Sequence, residues 1–351
     1  GNSNEKIQLR NGRFRQQKDY HPVNFNKQNC VLIAFEDLVK LAREDCNQMK
    51  TAGKNLGVNF DFPQLEKLQD SKNKDALVDQ LKRIDYNAGR IMAIVVLDKK
   101  TKHLYPTIKN YIYTQGGIPS QFMLHDENPR GGRKKQNLSY YSAVLNQMVV
   151  KAHGELFKIS FNKAFESTPS MIIGIDSSKQ KDGMKYVITS TYNRNYNKFY
   201  TNYKVEKNDN NALIDLIKDS LDHFKKSNNN RKPDKIIIYR EGGNERQVMK
   251  LIRTELPKIT EYIEGGYEKD YKPKLTIFNV NKKTDLKFFE KKGKDNYHNL
   301  PSGAVIDQEV VSPGCFEFYL QCPDVEKGTG TPVHFLCIYN TNDDLTANDF
   351  E

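Results

Sequence analysis

The chain has 351 residues, with 55 Lys and Arg against 44 Asp and Glu for a formal net charge of +11. At about 150 residues per domain that length suggests two domains, and a hydrophobic share of 37% with 11% aromatics can build real cores, which excludes a wholly disordered chain. No apolar run reaches the ~20 residues of a membrane-spanning helix, and the opening GNSNEKIQLR lacks the apolar stretch of a secretory signal, its Gly-Asn-Ser reading as a tag remnant.

The five cysteines (Cys30, Cys46, Cys315, Cys322 and Cys337) are odd in number and form no C-x-x-C pair. That usage fits a reducing, intracellular setting, cytoplasm or nucleus, and argues against structural zinc. The basic surplus makes a polyanion the leading partner. Nucleic acid ranks ahead of membrane, because no basic amphipathic helix stands out.

In chain order, residues 1–24 read as a polar, basic arm. CVLIAF, from Cys30, is a buried-strand pattern, and Glu36–Gly53 carries Leu38, Leu41, Ala42 and Cys46 at helical spacing, with Gly53 as its stop. A second helix is expected over Ala76–Ile84. Ile91–Leu97 (IMAIVVL) is the continuous apolar run of a strand buried on both faces. A helix at Tyr105–Tyr113, a strand at Gln121–Leu124 and a helix at Leu138–Lys151 complete an α/β alternation, a small doubly wound layer. Between Asp126 and Gln136, DENPRGGRKKQ is a basic loop without the glycine spacing of a phosphate cradle.

A second domain begins near Thr168. Met171–Ser178, Lys185–Tyr192 and Lys198–Glu206 are three successive strand-like segments, followed by a helix at Ala212–Lys226 and a strand at Lys235–Gly242. A helix at Arg246–Leu256 and a strand at Leu275–Val280 come next, then strand-like AVIDQEVV, CFEFYLQC and VHFLCIYN. The order β-β-β-α-β-α-β is that of a ribonuclease-H-like fold. There the first strand and the one after the first helix run side by side, which brings Asp176 close to Glu241. Adjacent carboxylates favour a hard divalent cation such as magnesium, with His334 as a third ligand; a solvated or Lys/Arg-paired role is the plainer alternative.

IIGIDSS, IIIYREGGNERQ, NLPSGAVIDQEVVSPGCFEFYLQ and GTGTPVHFLCIYN occur in the order found in the PIWI domain of Argonaute proteins. The chain resembles that family from about Asn24 onward, and its Piwi branch more than the Argonaute branch. LYPTIKNYI, GIPSQF and VVKAHG resemble the MID domain. The resemblance implies a Rossmann-like MID domain at 25–165 and a ribonuclease-H-like PIWI domain at 166–351, lacking PAZ and N domains and the family's C-terminal helices. It also implies a small guide RNA, a complementary target RNA and proteins of a silencing complex as partners. The family's pocket for the guide's 5′ phosphate and first base maps onto Tyr105, Lys109, Gln121 and Lys151, with Gln147 one turn before Lys151. The family's slicing residues map onto Asp176, Glu241 and His334, with magnesium at that site or with the 5′ phosphate. Two departures stand out. Glu241 replaces an Asp, and the completing Glu is missing from KNDNNALID, where Glu206 is early and Asp209 short. The departures predict weak or no cleavage. An active magnesium-dependent endoribonuclease and a protein-docking scaffold without RNA binding are the alternatives. Lys282, Lys283 and Lys287 fall where the family carries basic residues along the guide–target groove, or form a solvated charge run.

Overall fold

Apolar runs that no face can expose to water become central strands. β1 (Cys30–Phe35) and β3 (Met92–Asp98) are buried along their whole length. The computed structural model describes residues 23–69, 73–87, 89–125, 136–157, 167–181, 183–206, 211–243, 245–322, 325 and 328–342. Most of the basic arm, the loop at 126–135 and residues 207–210, where the completing Glu was sought, lie outside the described residues. The described residues up to 157 and those from 167 onward belong to separate compact units.

In the first unit, β2 (Gln64–Leu68), β1, β3 and β4 (Ser120–His125) form a parallel sheet in that spatial order. α1 (Val39–Leu56) and α4 (Leu138–Lys151) share one core with one face of the sheet. Residues of α2 (Lys74–Lys82) and α3 (Tyr105–Tyr111) share a second core with the other. Each fully buried Leu, Ile or Val there is worth about 1.5–3 kcal/mol relative to exposure. The Asn73 and Asn137 side chains cap α2 and α4 by accepting backbone N–H bonds of 2.9 Å from Asp75 and Tyr140.

Several boundaries differ from the sequence reading. The first helix ends at Gly57 (φ +72°), not Gly53, because the left-handed residue that closes a helix is the one glycine reaches without strain. Gly53 lies inside α1, where a side chain would strike the Val58 carbonyl. The edge strand β2 was not foreseen; its QLEKL is mostly half-buried and carries no strong alternation. Asp45, on the inner face of α1, is buried and paired, accepting from the Tyr141 hydroxyl at 2.7 Å and lying 2.8 Å from His125 Nε2.

The second unit is built on an eight-stranded sheet. β5 (Ser170–Gln180), β6 (Gly183–Thr191) and β7 (Phe199–Glu206) form an antiparallel meander. α5 (Ala212–Ser227) leads to β8 (Lys235–Glu241), which pairs in parallel with β5. α6 (Glu245–Thr254) and α7 (Leu256–Glu261) precede β9 (Lys274–Asn281), parallel to β8. The expected helix at Arg246–Leu256 is α6, which stops at Thr254, and α7 was not foreseen; Pro257 stands at its start, a position where the missing N–H costs nothing. A separate hairpin, β10 (Phe289–Lys291) and β11 (Tyr297–Asn299), comes next, and β12 (Val305–Ile306), β13 (Glu317–Leu320) and β14 (Val333–Asn340) extend the large sheet. Only Val305 and Ile306 of AVIDQEVV are strand. The order β-β-β-α-β is as expected, and α5 covers the apolar face formed by Ile173, Ile175, Ile188, Ile236 and Ile238.

Candidate functional site

In the first unit, two clusters assemble around β4. α3 begins at Tyr105, and Lys109, one turn on, donates to the Tyr105 hydroxyl at 2.6 Å while lying 5.1 Å from its ring centre. The Tyr105 ring meets Phe122 edge-on at 4.6 Å and stays 36% exposed. The second cluster starts at the end of α4. Lys151 Nζ donates to the Ser120 carbonyl and to Gln121 Oε1, both at 2.8 Å. Gln121 is buried and donates onward to Gln147 Oε1 at 3.1 Å.

Phe122 belongs with the α2–α3 core, whereas the neighbouring Met123 belongs with the α1–α4 core, so side chains from both faces meet around the edge strand. Ligands of open parallel sheets usually sit at the carboxyl ends of the strands, at a switch point. Here Gln121 stands near the amino end of β4, next in sequence to Phe122, so the two clusters are anchored on adjacent residues of one strand. Partial burial of its ammonium, and then the Lys109 charge, holds the Lys151 pKa below the ordinary lysine value. No described carboxylate is ion-paired to Lys109 or Lys151. All five residues expected for a 5′-phosphate pocket lie in these clusters. An ammonium has three donors, and Lys151 uses two of them on Ser120 and Gln121.

In the second unit, β5 and β8 pair in parallel as far as Ile175 opposite Arg240, and Asp176 and Glu241 are the next residue on each strand. Both line an open cleft of about 1190 Å³, together with His334. Asp176 is exposed and accepts from the Ser177 N–H at 2.6 Å. Glu241 Oε2 accepts from Lys282 at 3.1 Å. His334 Nε2 lies 2.6 Å from Glu317 Oε1, and its ring stacks on Tyr319 at 4.4 Å. Burial opposes charge on Glu317, yet bonds from the Ser312 backbone and hydroxyl and from His334 bring its pKa below the ordinary value.

Asp176 and Glu241 offer the hard oxygens that magnesium takes. Among the described residues, however, no group of three or more His, Cys, Asp or Glu is arranged to hold a metal ion. One oxygen of Glu241 is taken by Lys282, and His334 by Glu317, so the three expected ligands share a cleft without forming a metal-binding set.

Sequence reading missed Arg240. It is buried behind the carboxylates, with Nε and Nη2 on Glu255 at 2.8 and 3.1 Å, Nη2 also on Ser177 Oγ at 2.8 Å, and Nη1 on the Glu241 carbonyl. It thereby braces the ends of β5 and β8. A charged residue after the apolar KIIIY was the available signal.

A Piwi-domain model matches residues 92–351. Piwi-like protein 3 of Homo sapiens is 28% identical over 256 residues, a match covering 71% of this chain and 27% of that protein. The chain spans about a third of the length of the curated relatives it matches. Drosophila Piwi superposes with a TM-score of 0.77 at 16% identity, over 96% of this chain and 45% of that one. Kluyveromyces polysporus Argonaute with a guide RNA gives 0.72 at 20% identity, over 95% of this chain and 43% of that one. At these identities the structural likeness carries the fold alone: a parallel-sheet α/β unit followed by a ribonuclease-H-like one. Among the described residues no helix is long and apolar enough to cross a membrane.

Proposed function

The chain belongs to the Piwi family, and from that membership we propose that it binds the 5′-phosphorylated end of a small guide RNA and the guide's duplex with a complementary target. It does so for RNA-guided silencing, with weak or no cleavage of its own. The observation that carries the reading is the pair of polar clusters on neighbouring residues of β4: Lys109 on the Tyr105 hydroxyl, whose ring meets Phe122, and Lys151 on Ser120 and Gln121, with no described carboxylate ion-paired to either ammonium. Lys151 arrives with two of its three donors engaged, which aims the third. Beside them the exposed Tyr105 ring offers a stacking face for the first base. The guide RNA present in the related Kluyveromyces polysporus structure supports the partner class.

Binding of 5′-phosphate RNA compared with its 5′-hydroxyl counterpart tests the proposal. A clear preference for phosphate, lost when Lys109→Ala and Lys151→Ala are combined, is expected. Equal binding of the two RNAs rules out guide anchoring, and no binding of either favours a scaffold without RNA binding.

Weak or absent cleavage rests on the two sequence departures, Glu241 in place of an Asp and no completing Glu in KNDNNALID; the Glu317 carboxylate on His334 supports it. Guide-loaded protein incubated with a matched target and magnesium should leave the target whole on a denaturing gel. A single cut that disappears in Asp176→Ala would establish the active endoribonuclease instead.

A further inference from the structure

The basic run after β9 does not end as a solvated tail. Residues 282–286 line the cleft beside Asp176 and Glu241, and the chain leads from there directly into β10. Three contacts pin the root of the hairpin. The Phe288 ring meets Tyr319 edge-on at 5.4 Å, Lys287 Nζ donates to Thr331 Oγ1 at 2.7 Å, and Asn299 bridges the Gly328 carbonyl and the Gly330 N–H at 2.8 and 2.9 Å. Beyond that root, residues 289–298 are all exposed.

The ladder pairs Phe289 with Asn299 and Lys291 with Tyr297, so these four side chains share one face. Phe289 is 48% exposed and Tyr297 59%, with the Lys291 ammonium 5.9 Å from the Tyr297 ring centre. That face carries no aliphatic side chain. Between residues 282 and 299 there are six lysines against three acids. Two aromatic rings held in water on a pinned ladder amid a cationic surplus do not suit an apolar protein surface. They suit a strand with π faces and a charged backbone.

We propose that the β10–β11 hairpin is a stacking platform for unpaired bases of an RNA strand leaving the cleft, with Phe289 and Tyr297 taking bases and Lys291 and Lys294 meeting phosphates. The proposal rests on the reading of this chain as an RNA-binding protein, but not on the 5′-phosphate clusters.

The test uses the whole chain and single-stranded 5′-phosphorylated RNAs with 2-aminopurine placed at successive positions, beside 5′-hydroxyl versions. Quenching is expected at one or two adjacent positions, and pairing those bases to a complement should abolish it. Combining Phe289→Ala with Tyr297→Ala should remove the quench and weaken binding about tenfold, whereas Tyr297→Phe retains both. Combining Lys291→Ala with Lys294→Ala should flatten the slope of log affinity against log salt by about 1.4. Unchanged quenching and affinity in the double-alanine variant would overturn the proposal and leave the hairpin to a protein partner. If the 5′-phosphate preference fails while the hairpin-dependent quench persists, guide anchoring falls and the platform stands. An intact preference without any hairpin-dependent quench sinks the platform alone.

Discussion

Replacing Lys151 with Ala isolates what a 5′ phosphate gains from this protein. A charge-assisted hydrogen bond is worth about 1.5–3 kcal/mol when well buried. Lys151 is exposed overall, with only its ammonium end partly desolvated, so solvent screening lowers this to about 1–2 kcal/mol. That corresponds to about a 5- to 30-fold loss of affinity for 5′-phosphate RNA. The same substitution also removes the bonds to Ser120 and Gln121, which tie α4 to β4. Affinity loss by itself is therefore ambiguous, and the informative quantity is a cycle over two changes, Lys151→Ala in the protein and removal of the phosphate from the RNA. Fluorescence anisotropy at fixed salt supplies the four affinities, and thermal unfolding confirms that the variant is folded. A coupling of about 1–2 kcal/mol is expected. Equal losses on phosphate and hydroxyl RNA, with coupling near zero, would refute the placement of the phosphate beside Lys151.

Glu255→Ala leaves the buried Arg240 without its carboxylate and should cost the second unit about 3–5 kcal/mol in urea unfolding; a cost under 1 kcal/mol would show that Arg240 finds another partner. Gly242→Ala places a methyl 1.7 Å from Oδ1 of the buried Asn279 and should destabilise by about 1–3 kcal/mol; an unchanged Tm would mean that Asn279 turns aside freely. Glu317, whose folded pKa is lowered from about 4.5, contributes stability that is complete above that value and disappears as pH falls through the folded pKa. The stabilities of the native chain and Glu317→Gln should therefore differ at neutral pH and converge in acid. A gap of the same size at pH 3 and pH 7 would contradict the ionised Glu317–His334 contact.

Local pattern carried most of the architecture. CVLIAF and IMAIVVL cannot expose either face, so they had to be central strands, and the heptad-like spacing of α1 and α4 had to face them. Motif order carried the family. Boundaries slipped where a single residue outweighs periodicity, as at Gly57 and Pro257, and β2 stayed hidden because a half-buried edge strand has little pattern to read.

The candidate residues were legible by type and position, but not by partner. Lys151 meets Gln121 across 30 residues, Arg240 meets Ser177 across 63, and Asp45 meets His125 across 80. Whether a lysine is free to hold an anion, or a histidine is already held by a glutamate, depends on such long-range pairs. The same is true of the hairpin: Lys282, Lys283 and Lys287 before it were visible as a charge run, while Phe289 and Tyr297 became a common face only through the ladder register. Periodicity reports which way a side chain points from its own element. The neighbour it finds there is set by how the elements pack, and that neighbour determines the charge, the free donors and hence the chemistry.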